Sequence, residues 1–154
     1  MSRELISSAE FPPKPHNCKS FNWQTKVHWL TCLGPAVKVP GLVFVAGQTS
    51  ADPDIKKATR TVLENLKKVL ELAGSSMEQV VKYNGECNLF FSKRWKGERW
   101  QVATVYLADM KDFAAMNEVY IDFLPPNPPS RTCIAAAALP GAGTIVEIEC
   151  IAQA

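Results

Sequence analysis

The stretch that decides the fold is Pro129-Ser130-Arg131-Thr132-Cys133-Ile134-Ala135-Ala136-Ala137-Ala138-Leu139-Pro140, followed by Gly141-Ala142-Gly143 and Thr144-Ile145-Val146-Glu147-Ile148-Glu149-Cys150-Ile151. It reads as two β-type runs parted by a Pro-Gly turn. Side chains two apart on a strand share a face, so Arg131 and Cys133 point the same way, and so do Glu147 and Glu149. A guanidinium beside a thiol, with a carboxylate on a neighbouring strand, can hold a small carboxylate substrate and polarise a water. The same residues also fit a plain buried strand pair with an ion pair between Arg131 and Glu147 or Glu149 at its rim.

Working outward, the clearest element is a helix from about Asp54 to Ala73. Ile55, Ala58, Val62, Leu66, Val69, Leu70 and Ala73 recur at helical spacing. Asp52 or Asp54 can cap its start and Gly74 its end. A second helix is expected from Phe113 to Phe123, with Phe113, Met116, Tyr120 and Phe123 as its apolar stripe. Asp109 or Asp112 can cap it, and Pro125-Pro126 stops it. Strands are expected at 37–39, 42–46, 80–84 continuing at 105–108, 131–139 and 144–152. That order predicts an α+β fold: a single mixed β-sheet with two helices packed on one face.

The chain has 154 residues, of which 47% are hydrophobic, enough for one domain with a real core. The formal net charge of +2 neither calls for nor excludes nucleic acid. Five cysteines without paired spacing, and an N-terminus lacking a signal-peptide apolar core, point to a reducing compartment and free thiols. No apolar stretch is long enough to span a membrane.

All four tryptophans fall in two windows, Trp23 and Trp29 in one, Trp95 and Trp100 in the other. Lys19 and Lys26 charge the first window. Lys93, Arg94, Lys96 and Arg99 outweigh Glu86 and Glu98 in the second. The basicity therefore resides in these windows, and the remainder carries −2. His16-x-Cys18 with His28-x-x-x-Cys32 resembles a zinc set only superficially. The basic and aromatic mixture of Ser92–Lys96 and Arg99-Trp100 resembles a single-strand binder but reads better as a solvated hairpin tip.

Taken in order, Pro-Ser-Arg-Thr-Cys, Leu-Pro and Val-Glu-Ile-Glu resemble the signature of the reactive intermediate deaminase (Rid, YjgF-like) family. Gly41–Gln48, Thr61–Leu66 through Ala73-Gly74, Val80-Val81-Lys82, Tyr106–Met110, Asp112-Phe113 and Asn117–Tyr120 follow in the family's sequence. The resemblance implies one Rid-like domain over 1–154 with a chorismate-mutase-like fold. Two segments, about 19–33 and 85–104, do not belong to the pattern. They are read as atypical insertions, either genuine surface loops or, the favoured reading because the second interrupts a strand, retained introns, for which possible codons at Gly85-Glu86-Cys87, Thr104-Val105, Cys18-Lys19 and Leu33-Gly34 allow splice-site sequences. The family's pocket tyrosine has no counterpart at His16, Asn17 or Cys18.

The resemblance further implies hydrolytic deamination of reactive enamine/imine intermediates such as 2-aminoacrylate to 2-oxo acids and ammonia. Arg131 would hold the substrate carboxylate and Glu147 would orient the attacking water. Cys133, Asn117 and Gly47 would line the pocket. No metal and no organic cofactor is needed, because an imine is already electrophilic. The implied assembly is a homotrimer with sites at subunit interfaces, in the cytoplasm or mitochondrion, acting on a small imino acid rather than on nucleic acid or membrane. The alternatives are an RNA-directed translation inhibitor or ribonuclease-like protein, and a non-catalytic ligand-binding accessory protein.

Overall fold

The computed structural model describes residues 4–9, 34–80, 102–126 and 130–154. The first window, most of the second (through Gln101), the His16/Cys18/His28/Cys32 set and the Ser92–Trp100 stretch lie outside these residues. The elements are β1 (Glu4–Ile6), β2 (Ala36–Val39), β3 (Leu42–Ser50), α1 (Ile55–Leu72), β4 (Val102–Leu107), α2 (Phe113–Phe123), β5 (Ser130–Ala135) and β6 (Val146–Gln153). They build one six-stranded mixed sheet, ordered β1-β2-β3-β6-β4-β5. All pairings are antiparallel except the parallel β4–β5 pair, whose crossover is made through α2, as parallel strands require. Both helices lie on one face, so the α+β reading holds. β1 is a strand the sequence pattern did not announce.

The core follows from two periodicities meeting. Along β6, Val146, Ile148, Cys150 and Ala152 are buried while the residues between them are not. Along α1, Ala58, Thr59, Val62, Leu63, Leu66, Val69 and Leu70 are buried. Each such Val or Leu contributes roughly 1.5–3 kcal/mol by leaving water, so the α1–β6 contact anchors the domain. Thr59, the polar member of the stripe, donates its hydroxyl to the Ile55 carbonyl at 2.7 Å.

The helix ends are built as expected. The Asp54 carboxylate accepts from the amides of Lys56 (2.8 Å) and Lys57 (3.2 Å), capping α1. At the other end Gly74 takes φ +73°, the Ser75 amide reaches the Leu70 carbonyl at 2.9 Å, and the Gly74 amide reaches Glu71 at 3.0 Å. This paired closure of the last turn needs a residue tolerant of left-handed φ. Lys38 of β2 donates to the Ala73 carbonyl at 2.8 Å, tying the helix end to the sheet. Asp112 precedes α2 but makes no side-chain capping bond; Asp109 instead caps the short 3₁₀ turn before it, accepting from Lys111.

Three strand expectations need correction. β3 runs on to Ser50, because a bulge between Val45 and Gln48 keeps it in register with β6. β5 ends at Ala135 and not at Leu139, because its partner β4 ends at Leu107, opposite Ala135. β4 starts at Val102, so residues 102–104, placed in the insertion by sequence, belong to the strand. Their alternation already matches it: Ala103 is buried with Val105 and Leu107, while Thr104 and Tyr106 face the other way. Val80 makes a single bridge to Ala152, and Ala103 pairs with Cys150 two residues along β6. Val80 and Val102 thus stand at adjacent places opposite β6.

Candidate functional site

The guanidinium of Arg131 is the centre of the strongest constellation. Arg131 is the second residue of β5 and pairs with Ala103 of β4, which puts its side chain on the helix-bearing face. There α2 presents Phe113, Met116, Asn117 and Tyr120, spaced so that all four meet one object. Arg131 Nη1 donates to Asn117 Oδ1 at 2.5 Å and lies 4.0 Å from Met116 Sδ. The guanidinium carbon sits 4.8 Å from the Tyr120 ring centroid and 5.3 Å from that of Phe113. Cation–π contacts of this kind contribute about 0.5–2 kcal/mol, rising with desolvation.

None of these partners is an anion. Among the described residues no carboxylate pairs with Arg131, and its Nε–H is buried without an acceptor. The Tyr120 hydroxyl is also buried, with no partner among the described residues, and burial pushes its pKa up to about 12. Buried polar atoms are seldom left unpaired. A positioned, uncompensated guanidinium is chemically suited to a carboxylate or other small anion.

Cys133 stands two residues along the same strand face. Burial raises its thiol above the ordinary value while Arg131 pulls it down, so it packs beside the cation as a neutral thiol. Cys150, on β6, is buried and its thiol is pushed up to about 12 by desolvation and by Glu149.

Glu147 is elsewhere. It lies between buried Val146 and Ile148, and so points away from the helices, and it pairs with Thr49 of β3 and Tyr106 of β4. β4 runs between β5 and β6, so the expected adjacency of Arg131 and the glutamates fails, as does the rim ion pair. Within one chain, Arg131, Cys133 and Asn117 gather on one face and Glu147 on the other. Burial, then the charge of Glu149, raises the Glu147 carboxyl above the usual glutamate value. Glu149 itself accepts from the Tyr106 hydroxyl at 2.9 Å, and that bond is the main reason the phenol's pKa rises. Gly47 sits in the β3 bulge against the Glu147 carboxylate.

Phe113, Met116 and Tyr120 escaped functional notice because their spacing is also that of a core-facing stripe. The only sequence signal was Asn117, a polar residue set within it. Among the described residues no group of three or more His, Cys, Asp or Glu could hold a metal, and no helix is long and apolar enough to cross a membrane.

Comparisons agree with this architecture. The family model described as "Endoribonuclease L-PSP" matches residues 30–86 and 102–154, resuming at the residue where β4 begins. The mitochondrial protein mmf2 of Schizosaccharomyces pombe is 40% identical over 134 residues, covering 80% of this chain and 90% of that protein. The chloroplastic Reactive Intermediate Deaminase A of Arabidopsis thaliana is 31% identical, covering 78% of this chain and 59% of that protein. The crystal structure of yeast Mmf1 superposes with a TM-score of 0.68 at 25% identity, covering 99% of this chain and 98% of that one. With the family model matching residues 30–86 and 102–154 and a relative 40% identical over 80% of its length, the chain belongs to the endoribonuclease L-PSP family, the YjgF/Rid family.

Proposed function

We propose that the protein hydrolyses reactive imino acids of the 2-aminoacrylate type to 2-oxo acids and ammonia. The observation that carries this reading is the guanidinium of Arg131, held by Asn117 and two aromatic rings and paired with no carboxylate among the described residues. Arg131 takes the substrate carboxylate. A water activated by Glu147 adds to the imine carbon, the resulting carbinolamine loses ammonia, and the oxo acid leaves. A glutamate whose pKa is raised by burial is a better base than an ordinary carboxylate. The name of the Arabidopsis relative supports the same chemistry.

The two catalytic residues lie on opposite faces of one sheet, so a complete site requires two copies of the chain. The face carrying Glu147 also exposes Phe44, opposite Val37 and Ile151, and Ile134. A second copy covering that face places one chain's Glu147 near another's Arg131. A homotrimer, with sites at its subunit interfaces, is the proposed assembly, and the mitochondrial names of the fission yeast relatives support a mitochondrial or cytoplasmic setting.

The test is direct. 2-Aminoacrylate is generated in situ and ammonia release is followed with the protein and with Arg131→Ala. The variant loses two charge-assisted hydrogen bonds worth roughly 1.5–3 kcal/mol each, so kcat/KM should fall at least a hundredfold. Near-normal turnover by the variant would remove Arg131 from the mechanism.

A further inference from the structure

Gly47 poses a specific question: why no side chain? Its φ is not among the positive values found at Gly41, Gly74, Gly141 and Gly143, so the backbone does not demand glycine there. Space does. A Cβ added at Gly47 would overlap Glu147 Oε1 outright and stand 2.7 Å from its Cδ and 2.9 Å from its Cγ. The three nearest atoms all belong to one side chain. The bulge explains how they meet: Val45 pairs with Cys150 and Gln48 with Ile148, so Ala46 and Gly47 together face the single residue Glu149. The extra residue brings the glycine backbone up beside the neighbouring glutamate.

We propose that Gly47 is a positioning residue, the seat on which the Glu147 carboxylate lies, and that its missing side chain sets where that carboxylate points. This inference rests on the catalytic role given to Glu147 and adds to it how the base is held. Lying against backbone, the carboxylate is partly shielded from water, in keeping with the upward shift of its pKa by burial. Any side chain at 47 turns the carboxylate outward into solvent, away from the atom that must receive its water.

The experiment uses the full-length chain and four forms: wild type, Gly47→Ala, Glu147→Ala and the double variant. Carboxyl-carbon NMR titration of Glu147 reads its ionisation without relying on activity. In Gly47→Ala the Glu147 titration should fall back toward the ordinary glutamate value and kcat should drop at least tenfold with KM changed less than threefold, while Tm falls little, because the struck atoms are the end of a flexible side chain. In the Glu147→Ala background the same substitution should leave Tm unchanged, because the atoms it strikes are gone. A Gly47→Ala titration curve matching wild type overturns the proposal. So does a marked Tm loss in both backgrounds, which would put the clash on the backbone. If Gly47→Ala alone does not fold, recovery of the fold in the double variant supports the seat and failure to recover overturns it. A wild-type chain inactive on imines, yet showing the titration shift, would sink the deaminase reading and leave the seat standing.

Discussion

Arg131 and Glu147 occupy opposite faces of the same sheet, with β4 lying between their strands. If each site draws its arginine from one copy and its glutamate from another, two dead variants can rescue each other. Arg131→Ala and Glu147→Gln should each be inactive alone. Unfolded, mixed in equal amounts and reassembled, they should regain about a quarter of the wild-type sites, the fraction of interfaces in a closed ring that pair two intact residues. A mixture as inactive as its components would put the whole site in one chain.

The raised pKa of Glu147 has a stability consequence whose sign is opposite to that of most carboxylates. A carboxyl whose folded pKa exceeds its unfolded value favours the fold below the unfolded pKa, and that contribution is lost as pH rises through the folded pKa. Glu147→Gln removes the cost of burying the charge. It should therefore raise Tm at pH 7, and the gain should vanish below the ordinary glutamate range. A Tm advantage independent of pH would mean that ionisation of Glu147 is not its source.

Tyr120 separates ring from hydroxyl. Its ring flanks Arg131, while its hydroxyl is buried and finds no partner among the described residues. Tyr120→Phe should raise stability by about 1 kcal/mol, since an unpaired buried hydroxyl costs that much or more, and should leave turnover intact. Tyr120→Leu should lower both. A marked loss of carboxylate affinity in Tyr120→Phe would place the hydroxyl in the site.

The bridge from Val80 to Ala152 and the pairing of Ala103 with Cys150 are both met by one uninterrupted strand if Val80 joins directly to Val102. Deletion of residues 81–101 should therefore give a chain at least as thermostable as the parent. Deletion of 85–104 removes Ala103 and Thr104 from the ladder and, joined at Asn84–Val105, carries Tyr83 to the buried place of Ala103. It should be less stable. The reverse order of Tm would fix the natural junction at Asn84–Val105, and unfolding of both would make the segment integral.

Much of the fold was legible because it rests on local signals. The period of α1, its Asp54 cap, its Gly74 stop and the alternation of β6 each announce themselves within a few residues. The site was legible only in part. Arg131, Cys133 and Asn117 do converge, since α2 and β5 are consecutive and pack together. Glu147 does not join them, because strand order is a long-range property: nothing in the Pro140–Gly143 turn says that β4 will insert between β5 and β6. Nor can alternation within a strand reveal which of two faces a neighbouring strand's odd positions will share. β1 was missed because three residues carry too little pattern to stand out.

One detail of the Arg131 socket reaches further. The group that fixes the guanidinium is an amide, so it orients the cation while leaving its charge unspent. Asn117→Asp would keep the shape and the contact but supply an internal anion, and the pocket would be occupied by the protein itself. Carboxylate ligands should then bind at least tenfold more weakly while Tm holds or rises, the pair being partly buried. If Arg131 takes the substrate carboxylate as proposed, its readiness for an anion is chemical rather than spatial, and depends on a nitrogen standing where an oxygen would fit equally well.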